Sequence, residues 1–268
     1  MSASFNQQFD QLGAWRREFT LRLKLLGEWL MDHELLDAAV EERLQRLESR
    51  VATDKVMVAF VAEFSRGKSE LINAIFFSEY GSRVLPSSTG RTTMCPTELL
   101  YDGSRPPSID LLPIDTRAGN ASIAELRRFP DEWIRVPLDV DSAESMGAAL
   151  KRVGEVRRVP REEAERLGFA IDASGENGLK PNPAGEVEVP CWRHAIINFP
   201  HPLLEKGLVI LDTPGLNAIG AEPELTLSLL PNAHAVLFIL AADTGVTHSD
   251  LAVWRQHVAV GHAQRGRL

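Results

Sequence analysis

Cysteine is scarce: the 268-residue chain holds two, Cys95 and Cys191, far apart and without metal-ligand spacing. That excludes a disulfide framework and suits a reducing compartment, with both thiols read as small apolar residues. Long hydrophobic runs are lacking as well. None approaches the roughly 20 residues that cross a bilayer, and no secretory leader is recognisable at the start. The expectation is a cytoplasmic protein, peripheral at the inner face of a membrane, with any membrane contact supplied by other segments. Positive charge is in deficit, with 29 Lys and Arg against 37 Asp and Glu, a net charge of -8 and a pI near 5.5. Such a balance offers no broad basic face, so nucleic acid is not an expected partner. Proline is missing between Phe5 and Val51. The length and the 44% hydrophobic content suit one large α/β domain, or a domain with an appendage.

The proline-free stretch carries Phe9, Leu12, Phe19, Leu23, Leu26 and Leu30 at three- and four-residue steps, continued by Leu36, Val40, Leu44 and Leu47. This is the pattern of one long amphipathic helix, or of two with a break near Asp32-His33. Its apolar stripe needs partner helices, so residues 1–51 read as a bundle segment preceding a second domain over 52–268.

The most informative stretch is Val56 to Ile75. Val56-Met57-Val58-Ala59-Phe60-Val61 reads as a strand buried on both faces. Ala62-Glu63-Phe64-Ser65-Arg66-Gly67-Lys68-Ser69 follows, and Leu71, Ile72 and Ile75 then recur at helical spacing. Strand, tight loop and helix around Gly-Lys-Ser is the setting of a phosphate-binding loop. Backbone N–H groups at such a helix start face phosphate oxygens. Gly67 admits a close backbone approach, Lys68 brings a cation to the outer phosphates, and the Ser69 hydroxyl is placed to ligate Mg²⁺. Ala62 stands where the usual pattern has its first glycine, which the loop tolerates if φ there is negative.

Residues 83–97 are hydroxyl-rich, punctuated by proline and read as a loop, with a strand starting at Glu98. From 102 to 190 the periodicity is poor. Helices are expected over 121–129, 142–153 and 161–167 and a loop over 172–185, the whole read as an insertion, with Arg127-Arg128 and Arg157-Arg158 on solvated faces. Strands return at 195–199, 208–211 and 235–240, and a helix at 249–260. Alternating strands and helices imply a three-layer α/β fold with a mostly parallel sheet and its ligand at the strands' carboxyl ends. Asp212 closes a buried strand and can hold Mg²⁺. The Gly215 N–H can reach a γ-phosphate. A threonine of the 83–97 loop should complete the Mg²⁺ shell, Thr93 first and Thr92 second.

The blocks AEFSRGKSELINAIF, LPSSTGRTTMCPTELLY, HPLLEKGLVILDTPGLN and AHAVLFILAADTGVTHSDLAVW occur in this order and resemble the dynamin superfamily of P-loop GTPases. The likeness is to bacterial dynamin-like proteins and, in the 83–97 loop, to mitofusins. It runs from about Lys55 to the end of the chain. It implies GTP and GDP as ligands, Mg²⁺ as cofactor, γ-phosphate hydrolysis, self-association through the GTPase domain, and membrane remodelling through lipid contacts made by regions outside this chain. Lys68, Ser69, Thr93 and Asp212 then take the roles derived above, and Ala62 to Ser69 surround the phosphates. Ser65 matches a phosphate-loop serine that compensates charge and places the attacking water. Arg66 lies one position beyond an arginine finger of some relatives, an offset that argues for an ordinary exposed arginine.

Guanine-reading GTPases carry Asn/Thr-Lys-x-Asp after the next strand, and no such motif follows Val260. The reading therefore expects the chain to be the N-terminal portion of a longer protein, with little turnover on its own. Two alternatives stay open: an ATPase of the P-loop class, and a scaffold that binds nucleotide without hydrolysing it.

Overall fold

In the computed structural model the described residues are 2–52, 55–62, 66–81, 84–85, 95–172, 179–214, 230, 233–243 and 245–255. They form two compact units, Met1–Val56 and Met57–Leu268.

The first unit is a helical hairpin, α1 (Ser2–Asp32) and α2 (Ala38–Ala52). Of the two sequence options, one helix or two, the broken one forms. Glu34 takes a left-handed φ of 57°, the usual device for ending a helix. Asp37 then caps α2 by accepting the Val40 N–H at 2.7 Å. Leu23 is buried, Phe9, Leu12, Phe19 and Leu30 are half-buried, and the α-carbon of Gly27 faces Leu44. Leu26 departs from the expected inner stripe: it is exposed, as are Trp15, Leu25 and Trp29.

The second unit is built on a seven-stranded sheet ordered β4-β3-β7-β2-β8-β1-β9. Its strands are β1 (Val56–Ala62), β2 (Thr97–Leu100), β3 (Ser108–Pro113), β4 (Ile134–Pro137), β7 (Trp192–Asn198), β8 (Leu208–Asp212) and β9 (Ala235–Ile239). Pairs β1–β9 and β2–β7 are parallel. Pairs β2–β8, β3–β7 and β3–β4 are antiparallel. The fold class is the α/β one expected. Besides β2–β8, the antiparallel pairs are made by β3 and β4, two strands that the periodicity does not reveal. Strands β2, β7 and β8 are buried along their whole length, which explains the continuous apolar run Leu208–Leu211 of β8, while β2 and β7 carry polar residues into the sheet. Helix α3 (Lys68–Phe76) follows β1 and buries Ile72 and Phe76, each such side chain contributing about 2 kcal/mol.

Residues 102–190 are more ordered than their periodicity suggests. Besides β3 and β4 they form the short α4 (Ile123–Leu126), α5 (Ala143–Lys151) and α6 (Arg161–Arg166), near the expected helices. They also form a separate antiparallel pair, β5 (Val156–Pro160) and β6 (Glu186–Pro190). That pair has a core of its own: Ile114, Val159, Ala164, Leu167, Phe169, Leu179, Val187 and Val189. The arginine pairs are not simply solvated. Arg127 binds buried Glu98, and Arg157 binds Asp115 at 2.6 Å and Glu163 at 3.2 Å. The chain continues through α7 (Pro202–Glu205) and, after β9, α8 (His248–Val253). No helix among the described residues is long and apolar enough to cross a membrane.

Candidate nucleotide-binding site

Strand β1 runs in the sheet interior beside β9 and ends at Ala62, fully buried and paired with Ile239. Among described non-glycine residues only Glu34 has a positive φ, so Ala62 meets the condition its missing glycine imposes. Gly67 stands at the N-cap of α3, where its φ of 82° puts it in the left-handed region. A Cβ there would meet nothing within 4 Å, so glycine is required by conformation and not by crowding. Helix α3 opens at Lys68. The Leu71 N–H returns to the Gly67 carbonyl at 2.9 Å, while the first N–H groups of the helix lack intrahelical partners, as at any helix start. Anions collect at such a start.

Lys68 is buried to 8% exposure, as is Asp212 at the end of β8. The Lys68 ammonium forms an ion pair with Asp212 Oδ1 and donates to the Thr213 carbonyl. Thr213 is itself pinned, its hydroxyl donating to the Phe60 carbonyl of β1 at 2.8 Å. Apart from the ion pair, Asp212 Oδ1 accepts no hydrogen bond among the described residues. The structure thus brings together Gly67, Lys68, Ser69 and Asp212, residues expected at one site from distant parts of the sequence. Ser69 is half-buried beside Lys68. Arg66 is half-buried, not the exposed arginine expected. Glu63, Phe64, Ser65, Thr92, Thr93 and Gly215 lie outside the described residues.

The donor set suits the groups it was expected to hold. A hydroxyl and a carboxylate are hard oxygen ligands of the kind Mg²⁺ takes, usually with waters and phosphates completing its shell. A lysine at a helix N-terminus suits a polyphosphate.

Two features escaped the sequence reading. Asn73 of α3 is buried, and its side chain holds the backbone at Val84 and Leu85. Oδ1 accepts from the Val84 N–H at 3.2 Å and from the Leu85 N–H at 2.8 Å, and Nδ2 donates to the Leu85 carbonyl at 3.0 Å. Its signal was an asparagine amid Leu71, Ile72 and Ile75, a poor helix former on an apolar stretch. The second is a buried ionic cluster where β2 leaves the hydroxyl-rich loop. Glu98 is 1% exposed. It accepts from Arg127 and contacts His194 Nε2 at 3.1 Å. Burial alone would push the Glu98 carboxyl up. The His194 hydrogen bond and the His194 and Arg127 charges outweigh burial and hold it down at about 2.

The fold is of the α/β P-loop class. Residues 58–263 match the Dynamin family, and the chain belongs to it. A bacterial dynamin-like protein from Nostoc punctiforme is 43% identical over 54 residues, 20% of this chain and 8% of that protein. Dynamin-like protein A of Bacillus subtilis is 26% identical over 261 residues, covering 90% of this chain and 20% of that protein. A solved structure described as an oligomerised bacterial dynamin pair, a mechanism for long-range sensing and tethering of membranes, matches with a TM-score of 0.41 at 16% identity. That match covers 91% of this chain and 36% of the other. The chain thus spans a fifth or less of these two curated relatives.

Proposed function

We propose that this chain binds GTP and GDP at the Lys68–Asp212 site and, as part of its whole protein, hydrolyses the γ-phosphate. The observation that carries the reading is the meeting of Lys68, at the start of α3, with Asp212, at the end of β8, in a chain of the Dynamin family. Phosphate oxygens would lie against the N–H groups from Gly67 to Ser69, with Glu63, Phe64, Ser65 and Arg66 completing the loop and Gly215 contacting the γ-phosphate. Lys68 offsets the charge that gathers on the γ-phosphate and leaving oxygens as water attacks. Its ammonium rests on Asp212 and Thr213, so it reaches phosphate by turning its four-carbon stem. Ser69, Asp212 and Thr93 would hold Mg²⁺, which would supply charge neutralisation for the phosphates. Ser65 is assigned to placing the water. Self-association through the GTPase domain, and lipid contact and membrane remodelling through segments outside this chain, are supported by family membership. A cytoplasmic place, peripheral at the inner face of a membrane, is part of the same proposal.

The experiment is steady-state turnover with GTP and with ATP for wild type, Thr93→Ala and Thr92→Ala. Thr93→Ala is expected to lower GTP turnover at least about tenfold while GDP affinity changes by less than about threefold, because its ligand role exists only with a γ-phosphate in place. If only Thr92→Ala behaves so, the Mg²⁺ threonine is the preceding residue. Preference for ATP would replace the guanine assignment.

A further inference from the structure

Asn73 makes three side-chain hydrogen bonds among the described residues, all to the backbone of two residues. Oδ1 takes the Val84 and Leu85 N–H groups and Nδ2 gives to the Leu85 carbonyl. The pair of bonds to Leu85 copies the reciprocal bonding of adjacent strands and fixes the chain there on both sides of one residue. Asn73 is 7% exposed and Val84 2% exposed, so these bonds are shielded from competing water. Asn73 also lies four residues after Ser69 on α3, and positions four apart share a helix face. The chain is therefore clamped one helical turn behind the hydroxyl offered to the metal. An asparagine interrupts an apolar helical stretch and, without these partners, would cost stability when buried.

We infer that Asn73 is a positioning residue for the γ-phosphate step. It ties the backbone at Val84–Leu85 to α3, so the chain that leads from Leu85 toward Thr92 and Thr93 starts from a point fixed to α3 one turn after Ser69. The inference rests on the GTPase reading above, and it separates two classes of contact. Bonds to a diphosphate come from Gly67, Lys68 and Ser69, none of which is hydrogen-bonded to Val84 or Leu85 among the described residues. Only contacts that need the following loop depend on the clamp.

Asn73→Ala and Asn73→Asp in the full-length protein test this through kcat, KM and GDP affinity. The aspartate keeps the acceptor for the two N–H groups and loses the donor to Leu85. Asn73→Ala is expected to lower kcat about tenfold or more with GDP affinity within about threefold of wild type, and Asn73→Asp to recover part of the loss. Should the alanine variant fail to fold, the same split measured on Asn73→Asp against wild type decides. An unchanged kcat overturns the inference. So does a GDP affinity that falls as far as kcat, because a merely structural asparagine would damage both alike. Failure of the underlying reading looks different: Lys68→Ala would then bind nucleotide as wild type does, whatever the Asn73 variants show.

Discussion

Glu98 shows how a single buried charge is tolerated. It sits on β2 with Leu211 on one side and Ile196 on the other, in the sheet interior. Its carboxyl stays ionised because His194, 0% exposed, and Arg127 both address it. The linkage sign follows from the depressed value. The unfolded carboxyl titrates near 4.5 and the folded one near 2. The stabilisation is therefore complete above 4.5 and is lost as pH falls toward 2. A gap of that size corresponds to about 3 kcal/mol. Glu98→Gln is expected to lower stability at neutral pH by about 3 kcal/mol, because it leaves His194 buried beside a neutral partner. The variant should also flatten the acid limb of the stability curve, read by urea unfolding from pH 6 down to about pH 2. A limb as steep as wild type's would mean another carboxylate carries it. Neither partner could have been found by spacing, since Arg127 lies 29 positions and His194 96 positions away.

At the scale of elements, the β5–β6 pair and α6 share a core that the seven-stranded sheet does not need. Phe169→Ala removes a buried ring, 4% exposed and covered by the Arg117 guanidinium at 4.5 Å from its centroid. The expected cost is about 3–5 kcal/mol. Hydrogen exchange should show it locally, with protection falling over 156–190 and holding in β1, β8 and β2. Uniform loss across the molecule would show that this core and the sheet unfold together. The same elements mark what the sequence could and could not reveal. Strands β1 and β8 were legible because continuous apolar runs end in a loop of special chemistry. Strand β6 was legible in principle: Glu186-Val187-Glu188-Val189 alternates strictly, and Val187 and Val189 are the buried pair. Strand β3 was not, since Asp110 interrupts it and is accommodated only by Arg105 at 2.8 Å and Arg135 at 2.7 Å. Within the site, Lys68 and Asp212 were legible by residue type and context. The role of Thr213 was not, because its hydroxyl bond to Phe60 closes a contact 153 positions long.

At the scale of the whole molecule, the sheet brings the start of α3 to the end of β8. Lys68 and Thr213 are 145 positions apart, and the sheet order that places β1 beside β8 is what joins them. The direct measurement is titration calorimetry of GTP with Mg²⁺ into the full-length protein and its Lys68→Ala variant, with circular dichroism recorded on both. Removing the ammonium leaves the Asp212 carboxylate buried without its partner, so a melting temperature lowered by a few degrees is expected in a variant that remains folded. Wild type is expected to bind, and the folded variant to lose affinity by about a hundredfold or more. Equal affinity in the two proteins would contradict the assignment of the Lys68–Asp212 meeting point as the phosphate site.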